Sequence, residues 1–226
     1  MDNKNTTYIV ISLLIGLVVG VFGGWYYGQT NSNTYSTATT GYMNGATTSS
    51  KTNFSMAMRK LWEDHVTWTR LSIISILNNS PDTDATVNRL LANASDMGNV
   101  IQTYYGQDAA TKFSQLIKDH LTIAADLVKA AKAGNQGDMA SAEEKWIMNA
   151  DEIAKLLSDA NPNLTYNELK EMLHEHLSLT KQEAVDYYRK NYTASIADYD
   201  KIHAQALTMA DGLSAAIIKQ FPDKFQ

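Results

Sequence analysis

Three stretches of this chain carry one short signature, an acid followed by histidine, an aliphatic residue and a hydroxyl. They read Asp64-His65-Val66-Thr67, Asp119-His120-Leu121-Thr122 and Glu175-His176-Leu177-Ser178. The histidines recur after 55 and 56 residues, and these three are drawn from only five in the chain. A fixed period of that length marks a repeated supersecondary unit, which buries its apolar face by stacking on its neighbours. The repeat therefore limits the fold to copies of one element pair.

Composition removes several function classes. The net charge is −5 and no basic run occurs, whereas a nucleic-acid surface needs clustered Lys and Arg. Without cysteine there are no disulfides, thiolate metal sites or cysteine nucleophiles. The chain also lacks a phosphate-binding loop, a nucleophile elbow and a His-Glu-x-x-His zinc motif.

The N-terminal part reads differently from the rest. After a tail at 1–7, residues 8–28 form a transmembrane anchor, with Tyr8–Tyr27 free of charge over twenty residues. At 1.5 Å per residue that length spans a hydrocarbon core of about 30 Å. A cleaved signal peptide would have a shorter apolar run, whereas Trp25, Tyr26 and Tyr27 form an aromatic belt. Gly16, Gly20 and Gly24 line one face and predict self-association through the membrane. Lys4 on the short flank predicts a cytoplasmic N-terminus and an extracytoplasmic C-terminal domain. Residues 29–52 are Ser, Thr, Asn and Gly with few aliphatics, which predicts a flexible tether. Sequons stand at Asn93, Asn163 and Asn191.

Residues 53–226 predict an all-α domain, a six-helix up-and-down bundle built from three αα-hairpins. Helices are expected at 54–79, 84–105, 108–133, 138–160, from Thr165 to about 189, and at 193–220. Gly106, Gly134 and Pro162 fall between them, and Thr165 with Glu168 suggests a capping box. The first, third and fifth helices carry the histidines. Asp96, Asp151 and Asp211 suggest a fainter second signature on the even-numbered helices.

Each repeat histidine lies within its helix's apolar stripe, as His120 does among Phe113, Leu116, Ile117, Leu121 and Leu127. Two readings follow. Each imidazole can bond a carboxylate or hydroxyl of its own hairpin, which satisfies a buried polar group. Alternatively, His65, His120 and His176, joined by His203 on the sixth helix, converge on a transition metal or haem. A di-iron site would use Glu171-Met172-Leu173-His174 and Asp200-Lys201-Ile202-His203, but such sites need Glu-x-x-His twice. A buried imidazole also titrates near neutrality, which admits proton sensing.

Leu61-Trp62-Glu63-Asp64-His65-Val66-Thr67-Trp68-Thr69-Arg70 resembles the opening signature of a poorly characterised prokaryotic family of small helical proteins. The stretches Asn149-Ala150-Asp151-Glu152-Ile153-Ala154 and Ile217-Ile218-Lys219-Gln220-Phe221-Pro222 resemble it too. The resemblance implies an all-helical bundle and supplies no established activity. The expected function is a non-enzymatic binding, sensing or surface-interaction module anchored in a cell membrane, with metal or haem binding as the alternative.

Overall fold

A computed structural model describes residues 49–226. The anchor at 8–28, its glycine face and most of the 29–52 tether lie outside the described residues. Among the described residues no helix is long and apolar enough to cross a membrane.

The described residues are helical throughout, in five helices followed by a short 3₁₀ turn at Pro222–Phe225. Helix α1 spans Ser50–Asn78, α2 Thr83–Ala133, α3 Gln136–Ala160, α4 Tyr166–Tyr188 and α5 Tyr192–Gln220. Helix α1 begins four residues before the expected Phe54, because Ser49 caps it by accepting from the Thr52 backbone N–H at 3.2 Å. It stops where Asn79 turns left-handed at φ 54°. The predicted Thr165 cap is present, its hydroxyl accepting from Glu168 N–H at 3.4 Å.

The count of six helices is corrected. The expected second and third helices form one element, Thr83–Ala133, whose backbone leaves the helical region only at Gly106, with φ 84° and ψ 175°. Glycine alone adopts that geometry readily. The chain still doubles back there. A Cβ built on Gly98 would meet Ser114 Oγ at 1.7 Å, whereas sixteen residues of straight helix would separate them by about 24 Å. Gly98 thus lets the two limbs of α2 lie against each other.

Around one core, α1 packs on α2, α2 on α3, α3 on α4, α4 on α5, and α5 back on α1. The buried stripes of all five helices meet there, including Trp62, Val66, Met97, Phe113, Ile153, Leu173 and Met209. One end is covered by aromatic rings: Phe54, Tyr104 and Phe225 lie with centroids 5.1–5.4 Å apart.

Candidate functional site: a histidine cluster in the core

His65 on α1, His120 on the C-terminal limb of α2 and His176 on α4 all point inward, each with 4% of its surface exposed. Their environments follow one pattern. His65 Nδ1 lies 3.2 Å from Asn93 Oδ1, His120 Nδ1 2.9 Å from Asn149 Oδ1, and His176 Nδ1 3.2 Å from Gln205 Oε1. The amide nitrogens then donate to the carbonyl four residues before each histidine: Asn93 to Leu61 O (3.0 Å), Asn149 to Leu116 O (3.0 Å) and Gln205 to Met172 O (3.4 Å). Each imidazole and one carbonyl of its helix are therefore clamped by a single amide from the following helical segment.

Trp146 fixes one tautomer. An indole N–H can only donate, and Trp146 Nε1 donates to His120 Nε2 at 3.1 Å. His120 Nδ1 therefore carries the proton and donates to Asn149 Oδ1. A second proton would turn Nε2 into a donor aimed at another donor. The core at this point is built for a neutral ring.

The three histidines sit close enough to sense one another. The His65 and His176 rings are 6.1 Å apart, and charge on His176 bears on both His65 and His120. Burial pulls the imidazole of His65 down to about 3, assisted by repulsion from His176 and His120 and opposed by its bond to Asn93. Burial likewise lowers His120 to about 4, with repulsion from His176 adding to it, and lowers His176 to about 4.

The fourth predicted ligand, His203, stands apart from the cluster. It is paired at the surface with Glu63 at 3.1 Å. His174, considered for a di-iron site, bonds Asp151 Oδ1 on α3 at 2.7 Å. Among the described residues no group of three or more His, Cys, Asp or Glu is arranged to hold a metal ion. Metal binding at the cluster would require each ring to present Nε2 to a common point, and His120 Nε2 is engaged by Trp146.

Each repeat histidine does find its partner within its own hairpin, but the partner is an amide and not the expected carboxylate or hydroxyl. The suspected aspartate signature is a set of surface ion pairs: Asp151 with Lys170 at 2.7 Å, Asp211 with Arg59 at 2.6 Å, and Asp96 3.8 Å from Arg89. The true second signature was available as a strict 56-residue step: Leu90, Trp146 and Ile202; Asn93, Asn149 and Gln205; Ala94, Ala150 and Ala206; Met97, Ile153 and Met209. The alanines are 0–1% exposed, so each amide-bearing segment is held tightly against the core. Asn93, one of the sequons, is wholly buried and committed to its clamp.

A second buried polar group was missed altogether. Glu183 on α4 is 2% exposed and paired with Arg70 of α1. The same guanidinium donates to Ser195 Oγ at 3.2 Å and to Ser195 O at 3.3 Å on α5, and lies 5.1 Å from the Tyr199 ring centroid. Burial raises the Glu183 carboxyl to about 7 in spite of Arg70, and the nearby Asp198 adds to the rise. No known protein family model matches this chain, and no curated protein or solved structure matches it either.

Proposed function

We propose that this protein is a non-enzymatic sensing module whose input is the proton, a bundle held on the extracytoplasmic side of a membrane by residues 8–28 and the 29–52 tether. We also take the three histidine–amide clamps as traces of a triplicated αα-hairpin, with the kinked α2 supplying one helix to each of the first two copies. The observation that carries the functional reading is the group of three buried imidazoles, close enough that protonated rings would repel one another. Their hydrogen-bond partners are neutral amides, so no carboxylate is bonded to them to compensate a charge.

The linkage sign follows from the lowered values. An imidazole free in the open chain titrates near 6.5, and in the closed bundle near 3 to 4. The open chain therefore binds more protons in this interval. Stability is fully present above about pH 6.5 and is lost as pH falls toward the folded values. Acidification opens the bundle.

The rival function is binding of a transition metal or haem through His65, His120, His176 and His203. In its favour, two imidazoles bound to one ion at about 2.0 Å would have centroids about 5–6 Å apart, close to the His65–His176 spacing of 6.1 Å. One experiment separates the two. The full chain in lipid nanodiscs, purified without chelator, is analysed for bound metal and melted between pH 7 and pH 5. A metal-free chain whose melting temperature falls with acid, and falls less in His65→Asn, supports the sensor. Near-stoichiometric metal or a haem band, lost in that variant, refutes it in favour of a cofactor site.

A further inference from the structure

We propose that the apolar void beside Trp62 and Tyr105 is a binding site for small uncharged apolar molecules of about two or three carbons. Binding there needs no change of charge on any histidine.

The repeat places the void on the axis that its three units share. Two complete sets of residues related by the 56-residue step line it: Ile101, Leu157 and Leu213, and Tyr105, Asn161 and Ile217. Side chains at equivalent positions point toward one axis, and they cannot all occupy it. Tyr105 is the one member of these sets large enough to close the space, but its hydroxyl is tied. It accepts from Asn161 Nδ2 at 2.9 Å and donates to Gln220 Oε1 at 2.8 Å. Turning the ring inward would break both bonds and strand their partners. Trp62 marks the border with the histidines: it lines the void, and its ring centroid lies 5.7 Å from that of His65.

The wall decides what the void can hold. About 30 Å³ stays open, room for about two or three water-sized groups. Water needs polar partners, and the hydroxyl and amide on the wall are already spent. Asn161, 1% exposed, gives its Nδ2 to Tyr105, and its Oδ1 accepts from the backbone N–H and the side chain of Asn163 at 2.9 and 3.0 Å. Around them the wall is apolar, with Met58, Leu61, Met97 and Phe113. A cavity of this kind stays dry. Its lining lacks contact atoms on one side, so an apolar guest gains dispersion contacts without displacing bound water. A hydroxyl or charge on the guest would lose its hydration and find no partner. The guest is therefore a light hydrocarbon or an inert apolar gas, and the volume excludes a longer chain. With so few atoms it binds no tighter than about millimolar.

Methionine methyl groups read the site directly. Met58 and Met97 line the void, whereas Met209, two periods on from Met97, is as buried but lies outside the wall. The full chain in lipid nanodiscs, isotope-labelled at its methionine methyls and followed by NMR, is titrated with propane under pressure and, separately, with xenon. The Met58 and Met97 signals, assigned through Met58→Leu and Met97→Leu, should shift and saturate while Met209 holds still. At its dissociation constant, propane should halve the unfolding equilibrium constant. Ethanol, as large but carrying a hydroxyl, should bind at least about tenfold more weakly. Ala109→Leu adds bulk to the wall from α2 and should abolish the propane response at an unchanged or higher melting temperature. Leu213→Ala widens the void and should admit benzene, which the wild type excludes. Should Ala109→Leu fail to fold, the benzene comparison decides alone. Shifts that never saturate, that touch Met209 equally or that persist in Ala109→Leu overturn the site. An equal response to benzene in the wild type and Leu213→Ala also overturns it.

Discussion

Replacing His120 by Asn tests the central electrostatic claim with little change in the clamp. The Asn amide nitrogen stands close to where Nδ1 stood, so it can still donate toward Asn149 Oδ1, which His120 Nδ1 approaches to 2.9 Å. What disappears is the titration, together with the acceptor for the Trp146 indole N–H, a loss that is the same at every pH. With an unfolded value of 6.5 and a folded one of about 4, a single imidazole subtracts about 2 kcal/mol of stability at pH 5 and almost none at pH 7. His65 and His176 behave alike, so the three together remove about 5 kcal/mol over that interval. Glu183, with its carboxyl raised from 4.5 to about 7, returns about 2 kcal/mol. The net loss of about 3 kcal/mol is a large part of the 5–15 kcal/mol typical of a folded domain. Urea denaturation of the full chain in nanodiscs, followed by tryptophan fluorescence at pH 7, 6 and 5, measures it. The wild type should lose about 2 kcal/mol more than His120→Asn between pH 7 and pH 5. Comparing the two chains cancels Glu183 and every surface carboxylate. Parallel pH profiles would mean that His120 is not held neutral by the fold, and the sensing argument would fail with it.

Three further outcomes are expected. Asn149→Leu should destabilise the bundle by about 1–3 kcal/mol, since it strands the His120 ring N–H and removes the second donor to the Leu116 carbonyl, as read by the same denaturation at pH 7. Gly98→Ala should cost about 1–3 kcal/mol through overpacking against Ser114 Oγ, and Ser114→Ala should restore part of that loss, because the closest contact is the hydroxyl. Gly106→Ala meets open space but must hold φ 84°, so it should cost about 1–3 kcal/mol, and adding Ser114→Ala should not rescue it.

The parts of this structure that the sequence makes legible are those set by local periodicity and unusual composition. Gly134 and Asn79 end helices in left-handed turns, Thr165 caps one, and apolar stripes at helical spacing become buried faces. The histidines stood out because five in 226 residues leave little background for a period to hide in. The expected break at Gly106 is present as a change of backbone direction, but the helical assignment runs across it, so five helices are counted in place of six. A single glycine supplies the reversal.

What stayed illegible depends on which side chains meet through space. The clamp amides lie 28 or 29 residues from their histidines, and Asn and Gln recur in helices too often for one sequence to mark them. Only superposing the 56-residue period exposes them, because Gln205 then stands in for Asn93 and Asn149 with one extra methylene and slightly longer bonds. The Arg70–Glu183 pair has no counterpart under the 55- and 56-residue spacing of the histidines: Arg70 aligns with Ala125 and Lys181, and Glu183 with Ser72 and Leu127. It therefore belongs to one seam of the bundle and not to the repeated unit. Three near-equivalent units by themselves would give a core without a distinguished seam. The unrepeated pair makes one seam of the bundle different from the others.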